Sequence, residues 1–276
     1  MGNRFKGGIE AGAMPWMHRY IGNPILSFIG RLFFKSQVKD FHCGLRGYNR
    51  DSILNLNLKT TGMEYASEMV VMAELHHLKI SEVPTTLKKD GRSGKPHLRS
   101  FRDGWRHLKF LFMYAPNWLF LYPGIALLAI GLIGGISLII GQIAISHIVF
   151  SVHTLLYCMS FLIMGYNIIS MFLFVKLYAY NHQFIPKETT IDWNKKLKED
   201  ALIFVGFILT TLGIALSIYA LLYWKRTGYS ELIPEIVMRI AIPAVTLLEL
   251  GIQSIFSGFI IAILKIKSID EEEENG

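Results

Sequence analysis

The stretch LFLYPGIALLAIGLIGGISLIIG, residues 119–141, carries no charge from end to end. Its length decides the fold class. A bilayer core needs about 20 apolar residues in helical form, whereas a buried helix of a soluble protein seldom runs past about 14. Working outward, Asp, Glu, Lys and Arg are absent from the whole of residues 110–175. That interval has room for two spans joined by a short turn, the second near residues 148–175. The pattern returns at residues 201–224 and 236–264. The sequence therefore predicts an all-α bundle of four transmembrane helices over residues 119–264, followed by an acidic tail over 265–276.

The chain has 276 residues, is 52% apolar and has a mean hydropathy of +0.37. Its net charge of +7 would suit a nucleic acid. In a multi-pass protein, however, topology and anionic lipid explain the excess, so the membrane is the expected partner and nucleic acid is not. Lys176, Lys187, Lys195, Lys196 and Lys198 cluster between the second and third spans, and Lys265 and Lys267 follow the fourth. The turn at 142–147 has no Lys or Arg. Positive loops mark the cytoplasmic side, which places both termini there. Residues 1–12 are polar and glycine-rich, unlike a signal peptide. Cys43 and Cys158 lie in polar and apolar surroundings respectively, so no disulfide is expected. Within the fourth span, Glu249 reads either as a functional carboxylate or as a protonated one bonded to a neighbouring helix.

Ahead of the spans, residues 1–96 read as an α/β piece. Helices are predicted over 15–34, where Trp16, Tyr20, Ile25, Phe28, Ile29 and Leu32 recur at helical spacing, and over 63–77. A strand is predicted over 79–87, then a charged glycine-containing loop over 88–96. Residues 97–118 form an amphipathic interfacial segment. Arg99, Arg102, Arg106 and Lys109 fall on one helical face, among Trp105, Phe110, Phe112 and Trp118.

Five strings in this first part resemble one family in order. They are Gly2-Asn3-Arg4-Phe5-Lys6-Gly7-Gly8, then Met14-Pro15-Trp16-Met17-His18-Arg19-Tyr20-Ile21-Gly22-Asn23, and then Asp40-Phe41-His42-Cys43-Gly44-Leu45-Arg46-Gly47-Tyr48. Gly62-Met63-Glu64-Tyr65-Ala66-Ser67-Glu68-Met69 and Asp90-Gly91-Arg92-Ser93-Gly94-Lys95-Pro96 complete the set. Together they resemble family 2 glycosyltransferases of the dolichyl-phosphate mannose/glucose synthase type. The resemblance implies that residues 1–96 are the C-terminal half of a GT-A-like α/β domain. It also implies transfer of a sugar from a nucleotide sugar to a polyprenyl or dolichyl phosphate.

In that family an Asp-x-Asp pair holds a divalent metal, Mg or Mn, against the donor diphosphate. The seven Asp residues here include no two spaced by two. The chain is therefore expected to begin after the metal motif, to hold no cofactor itself and to be inactive alone. A nucleotide sugar becomes a partner only if the nucleotide-binding half is supplied. Two rival readings are a non-catalytic membrane adaptor beside an intact glycosyltransferase and a small membrane transporter.

The acceptor oxygen of a lipid phosphate is already anionic, so it needs positioning and charge more than a base. Arginine suits this task, because its planar fork binds phosphate and stays protonated. By resemblance Arg4, Arg19 and Arg92 are the acceptor phosphate-binding candidates. Asp40 is the catalytic candidate, with a turn cap as its plainer reading, and Arg46 is its expected ion-pair partner. Glu64 is the sugar-binding candidate, while Glu68 reads as a solvated helix carboxylate. No metal ligands are read from His42, His76 and His77, which lack a zinc-type pattern.

Overall fold

The structure is a computed structural model that describes residues 1–89, 91, 100–182, 192–231 and 233–266, with Met63 and Ser100 as backbone only. The chain divides into two compact units, Met1–Trp118 and Leu119–Gly276.

In the first unit, β1 (Gly2–Asn3) runs parallel to β2 (Val83–Pro84), and an isolated bridge joins Ile9 to Leu87. The α/β domain expected from the sequence is not evident, since this is the unit's one sheet among the described residues. The strand expected over 79–87 shrinks to two residues. A strand persists only where a neighbour completes its ladder, and Pro84 brings no N–H to one.

Five α-helices accompany this sheet among the described residues. They are α1 (Arg4–Gly7), α2 (Asn23–Phe34), α3 (Arg50–Leu54), α4 (Tyr65–Leu75) and α5 (Ser100–Tyr114). The helix expected over 15–34 is widened into a π-helical turn at His18–Gly22, where the Asn23 N–H reaches back to the His18 carbonyl. Pro24 follows and cannot make the normal bond back to Tyr20, which favours the wider turn. The buried face of α2 is Leu26, Ser27 and Gly30; Trp16, Tyr20, Ile25, Phe28 and Leu32 stand exposed. Gly30 has a packing reason, since a Cβ there would come within 2.7 Å of the buried Phe41 ring.

The core of the unit forms around α4, whose residues 67–73 are all buried, with Val38, Phe41 and Leu111. Glu68 is buried with them rather than solvated. It accepts hydrogen bonds from the Lys59 N–H (3.0 Å), the Thr60 N–H (2.8 Å) and the Thr60 hydroxyl (2.6 Å). These donors offset the cost of removing a carboxylate from water.

The second unit carries α6 (Tyr122–Ile140), β3 (Ile143–Ile145), β4 (Ile148–Phe150) and α7 (Val152–Asn181), followed by α8 (Trp193–Lys196), α9 (Glu199–Arg226) and α10 (Pro234–Lys265). Among the described residues, four helical segments are long and apolar enough to cross a bilayer: Asn117–Ile140, Val152–Asn181, Trp193–Arg226 and Pro234–Lys265. The second begins later than expected, because residues 143–150 fold into an antiparallel hairpin.

Glycines seat the helices. A Cβ on Gly131 would meet the Cys158 carbonyl at 2.6 Å across α6 and α7, and one on Gly251 would meet the Gly206 carbonyl at 2.8 Å across α10 and α9. Such small residues let helix backbones approach where lipid supplies no hydrophobic drive. Tyr166 and Ser254 join α7 to α10 through their hydroxyls at 2.7 Å. At one end, Lys265 pairs with Glu199 and donates to the Leu197 carbonyl (2.6 Å), while the Asn181 amide donates to the Leu264 carbonyl (2.7 Å). Glu249 lies exposed on α10, and the bond to a neighbouring helix that the sequence allowed is not formed among the described residues.

Candidate functional site

Within the first unit a cleft of about 520 Å³ opens between the chain before α2 and the start of α5. Its walls include Arg4, His18, Gly22, His42, Gly104 and His107. The loop after α2 and the short helix α1 bring Arg4 and Asp40 together across 36 residues of sequence. Arg4 Nε donates to one Asp40 oxygen at 2.8 Å and Nη2 to the other at 2.7 Å; the Arg4 backbone N–H adds a third bond at 3.1 Å. Asp40 is fully buried, and its own N–H donates to Glu82 (3.0 Å), which also accepts from Asn3 (2.9 Å). Burial works against the Arg4 charge, but the hydrogen bond and attraction of Asp40 prevail and raise its pKa further. The guanidinium therefore stays charged, is held by a two-point fork and keeps 16% of its side chain exposed.

Arg46 does not take the place expected beside Asp40. It donates to three carbonyls, those of Cys43 (2.9 Å), Ala66 (2.7 Å) and Phe41 (2.7 Å), and so ties the 40–46 loop to α4. Glu64 is gripped by Arg106 of α5, whose Nη2 lies 2.9 Å away. Partial burial opposes the Glu64 charge, but the Arg106 hydrogen bond outweighs it and holds the carboxyl below its usual range. Arg19 stands over the Tyr20 ring at 5.4 Å, outside the cleft lining. Arg92 lies outside the described residues. Of the site candidates, then, the structure unites Arg4 with Asp40 and places Arg4 on the cleft.

The sequence reading passed over a second group on this cleft. His107 of α5 is buried, and its Nδ1 is 2.9 Å from the Ser67 hydroxyl of α4. The His42 ring packs beside it, centroid to centroid 4.6 Å. Burial, aided by the neighbouring His107, pushes the His42 imidazole down to about 3, and burial likewise lowers His107. Both are uncharged at neutral pH. Gly104 and His107, three apart on α5, share one helical face, but nothing in the sequence sets that pair, or His42, apart from ordinary core.

Among the described residues, no three His, Cys, Asp or Glu side chains converge as metal ligands.

Residues 173–265, from within α7 to the end of α10, match the family described as the glycosyltransferase family 2 C-terminal transmembrane region. Over 264 residues the chain is also 29% identical to the low-salt glycan biosynthesis hexosyltransferase Agl6 of Haloferax volcanii. That similarity covers 96% of this chain and 62% of the relative, so the chain spans less than two thirds of its length. No solved structure matches.

Proposed function

We propose that this chain supplies the acceptor side and the membrane domain of a family 2 glycosyltransferase that moves a hexose from a nucleotide sugar onto a polyprenyl or dolichyl phosphate. The observation that carries the reading is Arg4, a permanently charged fork fixed by buried Asp40 on the wall of a cleft of small-ligand size. The similarity to a hexosyltransferase and the match of the spans to a glycosyltransferase membrane region support it. A lipid phosphate held by Arg4 presents an oxygen that needs no base. Arg4 keeps that oxygen in place and offsets the negative charge between it and the donor diphosphate. Asp40 orients Arg4, while Arg19 and Arg92 are the further phosphate contacts that the reading assigns. Donor diphosphate and its divalent metal are left to a nucleotide-binding segment that these residues do not form. The 276-residue chain alone is expected to transfer no sugar. Both termini are assigned to the cytoplasm.

The test uses the full chain in nanodiscs with a photoactivatable polyprenyl phosphate. Labelling is expected to be displaced by polyprenyl phosphate and not by polyprenol. Loss of a charged hydrogen bond is typically worth roughly 1.5–3 kcal/mol, so Arg4→Ala should weaken capture about ten- to a hundredfold. Equal displacement by the alcohol would sink the reading. Sugar transfer by the chain alone would show that the donor side was misplaced.

A further inference from the structure

His107 presents two different ring edges. Its Nδ1 is taken by Ser67, and among the described residues Nε2 has no protein partner, so Nε2 is the atom available to a ligand in the cleft. His42 fills the space behind, with its own Nε2 buried and unpartnered. One turn before His107 on the same face stands Gly104, also on the cleft wall. A Cβ added there would meet nothing within 4 Å. Glycine inside a helix is less stable than alanine by roughly 1 kcal/mol, so packing gives no reason for it. Its effect is clearance beside His107. The cleft lining also includes apolar Met14, Pro15 and Leu26, close in sequence to a π-helical turn.

We infer that His107, with Gly104 giving access and Ser67 and His42 holding the ring, is a subsite for a hydroxyl of the hexose, next to the phosphate site at Arg4. This rests on the proposed function and names the group that reads the sugar. The chemistry favours a hydroxyl over a second phosphate. Both imidazoles are neutral, held so by burial and, for His42, by the nearby charges of Arg4 and Arg46. Whichever tautomer Ser67 selects, a hydroxyl can answer it, since it both donates and accepts; a phosphate dianion only accepts. The cleft volume is also within the usual range of roughly 300–1,000 Å³ for small-molecule sites.

The experiment compares binding of mannosyl- and glucosyl-phosphoryl polyprenol with that of polyprenyl phosphate by native mass spectrometry of the full chain in nanodiscs. Wild type is expected to prefer at least one hexosyl lipid by about tenfold, the scale of one or two neutral hydrogen bonds. His107→Ala should bring the ratio close to one without changing polyprenyl phosphate binding. Gly104→Leu, whose Cβ would meet nothing within 4 Å, should do the same, and His107→Gln should restore part of the preference. If neither lipid is retained, the proposed function falls and the subsite with it. If polyprenyl phosphate binds but the hexosyl lipids gain nothing, or keep their preference in both disabling variants, only the subsite falls. Loss of uridine or guanosine diphosphate binding in His107→Ala, with the lipid ratio unchanged, would assign the hydroxyl to a ribose and overturn the inference.

Discussion

Asp40 has no exposed surface, and both its oxygens are bonded to Arg4. Under the proposed function, a carboxylate so placed acts on the acceptor through the arginine it holds. Asp40→Asn removes the charge and leaves Arg4 partly buried without its counter-ion, a change costing on the order of 3 kcal/mol. Because the Arg4 amide itself donates to Asp40, its hydrogen exchange reports the loss directly, with an expected acceleration of about a hundredfold or more. Weakened acceptor use should accompany that acceleration. Abolished capture of polyprenyl phosphate with unchanged exchange would instead make Asp40 a group that touches the lipid phosphate. His42 and Glu68 belong to the same scale. Burial lowers the His42 imidazole pKa, and the Lys59 and Thr60 donors hold the buried Glu68 side chain in place.

Among elements, α5 and the α9–α10 pair divide the work of the two units. Along α5, Asp103, His107, Phe110 and Tyr114 are buried, while Phe101, Arg102, Trp105, Arg106 and Lys109 are exposed. The cationic stripe legible in the sequence is real from Arg102 to Lys109, although Arg106 is committed to Glu64. With the exposed aromatic row before and along α2, this composition suits a membrane interface. In the second unit, α9 meets α10 through Gly206, Gly213, Gly251 and Gly258. Gly251→Leu should force these helices apart, at a cost of roughly 1–3 kcal/mol for overpacking. The measurement is a thermal shift in detergent, with Gly141→Leu as reference, because a Cβ at Gly141 meets nothing within 4 Å. Equal melting of the two variants would mean that the glycine seam is not what joins α9 to α10.

At the level of the whole molecule, the proposed orientation rests on four spans and the lysine distribution. With Cys43 and Cys158 replaced by serine, a Lys196→Cys variant in intact cells should resist a membrane-impermeant thiol reagent and react only after permeabilisation. Reaction from outside would reverse the topology and place the first unit away from the cytosol. A cytosolic nucleotide sugar could not then reach it, so the labelling also bears on the proposed reaction.

The spans were legible by themselves, because insertion depends on apolar character summed over neighbours in sequence. That sum needs no knowledge of the rest of the fold. The candidates Arg4, Asp40 and Glu64 were legible as types in local strings, but their partners were not. The sequence suggested Arg46 for Asp40, whereas the fold chose Arg4; Arg106 reached Glu64 from 42 residues away. The β-strand failed for the same kind of reason, since a ladder needs a neighbour that one segment cannot specify. His42, Ser67 and His107 come from three separate stretches, and nothing in each stretch distinguishes it from ordinary core. Only tertiary packing sets two neutral imidazoles and a helical glycine on the wall of one cleft, because hydrogen bonds act over about 3 Å and composition carries no distances.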